Sequence, residues 1–76
     1  MRSAPIRDAV ALGHILAELR TGAGLTQREL ADELGVSQRY VVELEQGKQT
    51  KSIERFLQFI RVTGGSLYID LGDVDD

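Results

Sequence analysis

The chain has 76 residues, 42% of them hydrophobic and 28% charged, with a net charge of −3 and no cysteine. This bounds it to one small domain with a marginal core of its own, since a chain of this size buries only roughly 60% of its unfolded surface. Disulfides and thiolate metal sites are excluded, MRSAPIRDAV lacks the apolar core of a signal peptide, and no apolar run approaches the length of a membrane span.

The charge is unevenly placed. Asp70, Asp73, Asp75 and Asp76 supply four of the twelve acids, and residues 1–69 carry nine basic and eight acidic side chains, a net of +1. A near-neutral body with an acidic appendage permits a local basic surface for nucleic acid without requiring one.

In chain order, the first helix is expected from about Asp8 to Thr21. Leu12, Ile15, Leu16 and Leu19 recur there at helical spacing, and Gly22 and Gly24 end the run. The second is expected from Thr26 to Leu34. Thr26 and Glu29 form a capping box that satisfies two orphan donors, and Leu30, Ala31 and Leu34 make the inward side. Gly35 suits a left-handed position at its end. The third helix starts at Ser37, a good N-cap, and reaches about Gln46 before Gly47 stops it. Val36 and Val41 flank its start as a hydrophobic staple. The fourth runs from Ser52, another N-cap, to about Thr63, with Ile53, Phe56, Leu57 and Ile60 as its apolar stripe; Gly64 and Gly65 end it. Finally, Ser66 to Leu71 alternates polar and apolar, the period of a strand.

Two short helices joined across Leu34-Gly35-Val36-Ser37 make a helix-turn-helix. On a wheel of the third helix, Val41 and Leu44 lie on the buried side with Ser37 and Glu45 beside them. The opposite face holds Gln38, Arg39, Val42, Glu43 and Gln46. That face carries groups able to bond base edges in the major groove, Gln to adenine, Arg to guanine and Glu to cytosine.

The stretch LTQRELADELGVSQRYVVELEQGK, with Gln27, Leu30, Ala31, Gly35, Val41, Leu44 and Glu45 in register, resembles the helix-turn-helix of the phage repressor and Cro type, the XRE family. The resemblance implies an all-α, lambda-repressor-like fold of four helices. It implies base reading by Ser37, Gln38, Arg39 and Glu43. Phosphate contacts would come from Gln27, Arg28, Gln46, Lys48, Gln49 and Lys51. Arg20 and Glu45 would form a buried ion pair between the first and third helices; the wheel independently sets Glu45 beside the core. Gln27 also has a physical reason to meet phosphate, because a helix start offers free N–H groups.

Plainer roles compete at several positions. Glu43 can pair with Arg39 one turn earlier on a solvated face. Val42 can meet a thymine methyl or simply stand exposed. Tyr40 lies at the edge of the core, with phosphate as its other contact. Lys48 and Lys51 can be ordinary surface lysines. The single histidine, His14, has neither cysteine nor a second histidine to share a metal. Asp32 and Glu33 lie on a helix surface without a base, and TGAG and TGGS are helix stops rather than nucleotide cradles. The expectation is no enzyme, no metal and no cofactor.

The strand, with Leu67, Ile69 and Leu71 on one face, has no partner in a chain otherwise read as helical. A second copy is the simplest partner, since two-fold contacts are self-complementary. The expectation is therefore a helix-turn-helix domain over residues 1–65. Residues 66–76 would form a C-terminal β-strand and acidic tail, with Leu67, Tyr68, Ile69 and Leu71 pairing antiparallel across a homodimer and roofing Phe56, Phe59 or Ile60. This is similar to the HipB-like antitoxins, small XRE proteins with a strand lid. What that resemblance implies is a repressor on palindromic double-stranded DNA, autoregulating a toxin–antitoxin operon and holding a toxin such as a HipA-like kinase. It also implies a bacterial cytoplasmic, nucleoid-associated protein with no membrane partner. The alternatives are a stand-alone or phage-type regulator, and a module that neutralises a toxin without specific DNA binding.

Overall fold

The computed structural model describes residues 2–48 and 51–72. The order of elements is β1 (Arg2–Ile6), α1 (Ala9–Gly22), α2 (Gln27–Leu34), α3 (Gln38–Glu45), α4 (Lys51–Val62) and β2 (Leu67–Gly72). Three helices begin where a side chain satisfies a free N–H. Asp8 accepts from Ala11 N–H at 2.8 Å, and Ser37 from Tyr40 N–H at 3.1 Å. At α2 the exchange is reciprocal: Thr26 accepts from Glu29 N–H at 3.0 Å, and the Glu29 carboxylate accepts from Thr26 N–H at 2.9 Å. The four helices fall within a residue or two of their expected spans. Ser52 is a correction, because α4 is already helical at Lys51 and Ser52 sits inside its first turn rather than at its cap.

The turn between α2 and α3 closes on Gly35, which adopts φ 70° and ψ 32°. Val36 N–H bonds the Ala31 carbonyl at 3.0 Å and Gly35 N–H bonds that of Asp32 at 3.3 Å, the two bonds of a Schellman motif. A second glycine sets the crossing of α1 over α3. A Cβ at Gly13 would lie 2.5 Å from the Glu45 carbonyl oxygen and 2.7 Å from that of Leu44. That approach explains a glycine in mid-helix, where it otherwise costs about 1 kcal/mol.

The core is thin. Among the described residues its buried side chains are Ile6, Ala9, Ala31, Val41 and Leu57, one from β1 and one from each helix. Leu30 is half-buried, but Leu34, expected inward, is exposed at the rim of an apolar cleft shared with Leu16, Leu19 and Leu25.

The main correction concerns the strand. β2 is present, but its partner lies in the same chain: β1 pairs with it antiparallel, with Ala4 opposite Ile69, Pro5 opposite Tyr68 and Ile6 opposite Leu67. The segment RSAPI carries little strand signal of its own, with only two apolar side chains on one face and a proline. Pairing there is decided by the neighbour and by burial rather than local preference. Proline is tolerated because β1 is an edge strand. Ala4, Leu67, Ile69 and Leu71 are half-buried and Ile6 buried, while Tyr68 and Asp70 face solvent. The Arg61 guanidinium donates to the Arg7 carbonyl, tying α4 to the link between β1 and α1. Within the chain Leu67 lines a cleft with Ile60, while Phe56 and Phe59 are exposed. Residues 73–76, with three of the four tail acids, lie outside the described residues.

Candidate nucleic-acid interface

α3 is held from behind by one carboxylate. Arg20, in the last turn of α1, donates through Nε to Glu45 Oε2 at 2.6 Å and through Nη2 to Oε1 at 3.0 Å. Its Nη1 donates to the Leu25 carbonyl at 2.9 Å. Gln27, at the start of α2, donates through Nε2 to Glu45 Oε1 at 3.1 Å. The Glu45 carboxylate thus gathers α1, α2 and α3 at one point. The Arg20 and Glu45 side chains are only 14% and 9% exposed, so this bidentate pair is well screened from water. The Arg20 hydrogen bonds hold the Glu45 carboxyl below the usual carboxylate range, against the opposing effect of burial and with help from Gln27. The same bond raises Arg20. At the α2 cap, the bonds with Thr26 lower Glu29 in the same way.

With Val41 buried and Glu45 clamped, the other side of α3 is turned outward. Gln38 and Gln46 are exposed, and Val42 and Glu43 half-buried. The Arg39 side chain is 83% exposed and touches Glu43 one turn on, Nε to Oε2, at 3.4 Å. A long, exposed contact of this kind contributes little and leaves Arg39 free to turn to another acceptor. Ser37 begins the helix with its Oγ accepting from Tyr40 N–H, which leaves its hydroxyl hydrogen available to donate. Arg28 on α2, Tyr40 on α3, Lys48 beyond α3 and Lys51 opening α4 are exposed as well. Gln49 lies outside the described residues. Gln27, expected at phosphate, is half-buried and spends one amide N–H on Glu45. It therefore acts first within the clamp and has one N–H left for an outside acceptor.

These groups donate hydrogen bonds and positive charge; they form no nucleophile with an adjacent base. Among the described residues, no three His, Cys, Asp or Glu side chains gather in a way that could hold a metal, and His14 is exposed. No helix there is long and apolar enough to cross a membrane.

The sequence matches the helix-turn-helix family over residues 16–69. The chain belongs to this helix-turn-helix family, of the XRE type. A relative from Sinorhizobium fredii (strain NBRC 101917 / NGR234), named an uncharacterized HTH-type transcriptional regulator y4mF, is 36% identical over 64 residues, 84% of each chain. No solved structure matches. The family match begins inside α1 and ends within β2. The helix-turn-helix unit, its clamp and the first half of β2 thus belong to the shared region, while β1 lies before it. Gly13 also lies before it, although it carries the crossing that fixes α3. Its sequence signal was a glycine in the middle of an otherwise regular helix.

Proposed function

We propose that the chain is a sequence-specific DNA-binding repressor that works as a homodimer on an inverted-repeat operator. The observation that carries this is the outward face of α3. Gln38 and Arg39 stand exposed at its start, Arg39 held only by its long contact with Glu43, while Glu45 on the opposite side is pinned to two other helices. A rigid helix presenting an amide and a guanidinium fits a major groove, where Gln bridges adenine and Arg bridges guanine. Arg28, Lys48 and Lys51 supply sequence-independent attraction to phosphate and make affinity fall with salt. Membership of the helix-turn-helix family supports the same reading. Two copies would set their α3 helices about one DNA turn apart, roughly 34 Å.

Within this reading the protein is the antitoxin of a toxin–antitoxin operon, repressing its own promoter on the bacterial nucleoid. Support for this finer role comes from the strand after α4 and the acidic residues that follow it, features similar to HipB-like antitoxins. Co-purification of a neighbouring gene product, such as a kinase, tests it directly; a chain that purifies alone from its own operon would contradict it.

Selection of bound sites from random DNA tests the main proposal. The expected product is an inverted repeat with half-sites one turn apart. Equal recovery of all sequences would contradict it.

A further inference from the structure

A cleft that the DNA reading does not use lies where three distant segments meet. They are the link from β1 to α1, the last turn of α4 and the start of β2; no residue of α2 or α3 takes part. The cleft holds about 290 Å³, at the lower edge of the range for small-molecule sites. Its floor is apolar, with Ile6 buried and Ile60 and Leu67 half-buried. Its rim carries the guanidiniums of Arg7 and Arg61 and the exposed phenol of Tyr68. An apolar floor edged by a few polar groups is the general make-up of a ligand pocket.

The rim is cationic and uncompensated. The ion pairs among the described residues are Arg2–Glu18, Arg20–Glu45 and Arg39–Glu43, so neither Arg7 nor Arg61 has a carboxylate within pairing distance there. Asp8 and Asp70, beside Arg7 and Tyr68 in the sequence, are engaged: Asp8 accepts from Ala11 N–H, and Asp70 from Gly72 N–H at 2.7 Å. Glu54 shares a neighbouring cleft with Arg61 but makes no ion pair with it.

Nor is Arg61 used up in capping its own helix. The Ile60 carbonyl accepts from Gly65 N–H at 2.8 Å, the Arg61 carbonyl from Gly64 N–H at 3.1 Å, and the Phe59 carbonyl from Thr63. The Arg61 guanidinium donates to the Arg7 carbonyl instead. That bond holds it across the gap between α4 and the β1–α1 link and leaves its other N–H groups for an outside acceptor. The Arg7 side chain makes no hydrogen bond among the described residues.

Two guanidiniums at one rim suit an oxyanion, which each can hold by paired N–H···O bonds. A bare inorganic ion would leave the floor in water. An anion carried on a flat apolar body covers Ile60 and Leu67 and lies against the Tyr68 ring. Pro5, Ile6 and Arg7 also precede the residues 16–69 matched by the helix-turn-helix family, so the cleft is built in part from residues outside the shared region.

We infer that this cleft binds a small organic anion, a carboxylate or phosphate ester on a flat apolar body. The oxyanion sits between Arg7 and Arg61, and the body rests on Ile60, Leu67 and Tyr68. The bound molecule joins segments far apart in the chain and stabilises the fold by mass action.

The test titrates the full, isotope-labelled chain without DNA, followed by NMR, with benzoate, phenyl phosphate, inorganic phosphate and neutral benzamide. At least one of the organic anions should saturate with a Kd of about 1 mM or tighter, moving the amide signals of Arg7, Gly65, Ser66 and Tyr68 on one curve. The tighter of the two names the head group. Inorganic phosphate and benzamide each lack half of the ligand and should bind at least about 10-fold more weakly. Arg7→Gln should weaken the organic anion at least about 10-fold, the loss of one charge-assisted pair, with the helical circular dichroism unchanged. Arg61→Gln should weaken it as much; if losing its tie to Arg7 unfolds the sheet, Arg7→Gln still decides. Shifts that stay linear throughout, benzamide as tight as benzoate, inorganic phosphate as tight as phenyl phosphate, or unaltered binding by Arg7→Gln would overturn the inference. No DNA is present, so a failure here and a failure of operator reading are separate results.

Discussion

The two ends of this small protein are finished to different degrees. At the α1–α2–α3 end, a capping box, a left-handed glycine turn and a three-helix clamp on Glu45 satisfy their polar groups inside the chain. At the α4–sheet end, aromatic side chains and a strand edge are left in water. A clamped end holds a reading face at a fixed angle; an unfinished end is stable when something completes it. Under the proposed function, recognition would fall to the first half and assembly to the second. Substitutions should therefore cost folding stability at the first end and association at the second.

The largest effect on folding is expected from Glu45→Ala, which leaves the half-buried Arg20 guanidinium and the Gln27 amide without their acceptor. Loss of one partner of such a pair should cost about 3 kcal/mol in thermal or urea unfolding. Removal of Arg39, whose contact with Glu43 is long and exposed, should cost almost nothing. The same site sets an acid limit. The Glu45 and Glu29 carboxyls are held below the ordinary range in the fold, so on acidification the unfolded chain takes up their protons first. Their stabilisation is complete above about pH 4.3 and is lost as the pH falls below it. In Glu45→Ala the unfolding midpoint should change less between neutral and acid pH than in wild type.

Next comes Gly13→Ala. Its methyl group would meet backbone carbonyls of α3 rather than a side chain that can yield, with an expected cost of about 2 kcal/mol. This tests whether the α1–α3 crossing is as close as described. An unchanged melting temperature would show that α1 can move away, and the clamped end would then be looser than the account holds. Thr26→Ala, which opens the capping box, should cost about 1 kcal/mol. As small as the loss of Arg39 should be that of Phe59→Ala, measured at dilution where the chain is monomeric. With the ring in solvent, the expected change is within about 0.5 kcal/mol. A loss as large as that of Gly13→Ala would mean that the aromatic face supports the monomer's own core, and the contrast between the ends would fail.

How much of this was legible in the sequence follows the same division. The helices of the clamped end were marked by local chemistry: Thr26 with Glu29, Ser37 as a cap, Gly35 at a position needing positive φ. The wheel set Glu45 beside the core because helical spacing alone decides which side a residue takes. At the other end the deciding contacts are long-range. β1 was missed because Arg2–Ile6 offers two inward apolar side chains and a proline, and it becomes a strand only when β2 lies alongside. The strand of Leu67 to Leu71 was read from its alternation, but alternation does not name a partner, and the nearest one was in the same chain. The periodicity of α4 gave Phe56 and Leu57 equally to the apolar stripe; it could not say that only Leu57 would be covered. Leu34 was misjudged for the same reason. Gln27 was assigned outward from its helix-start position, whereas the structure turns one of its N–H groups inward to Glu45.

On the proposed function, α3 reads DNA through Gln38 and Arg39. The most direct test is the affinity of wild type and of Gln38→Ala/Arg39→Ala for a selected site and for random DNA, at one salt concentration. The double variant is expected to keep its fold, its self-association and its weak binding to random DNA, and to lose its preference for the site. An unchanged ratio of specific to random affinity would contradict it.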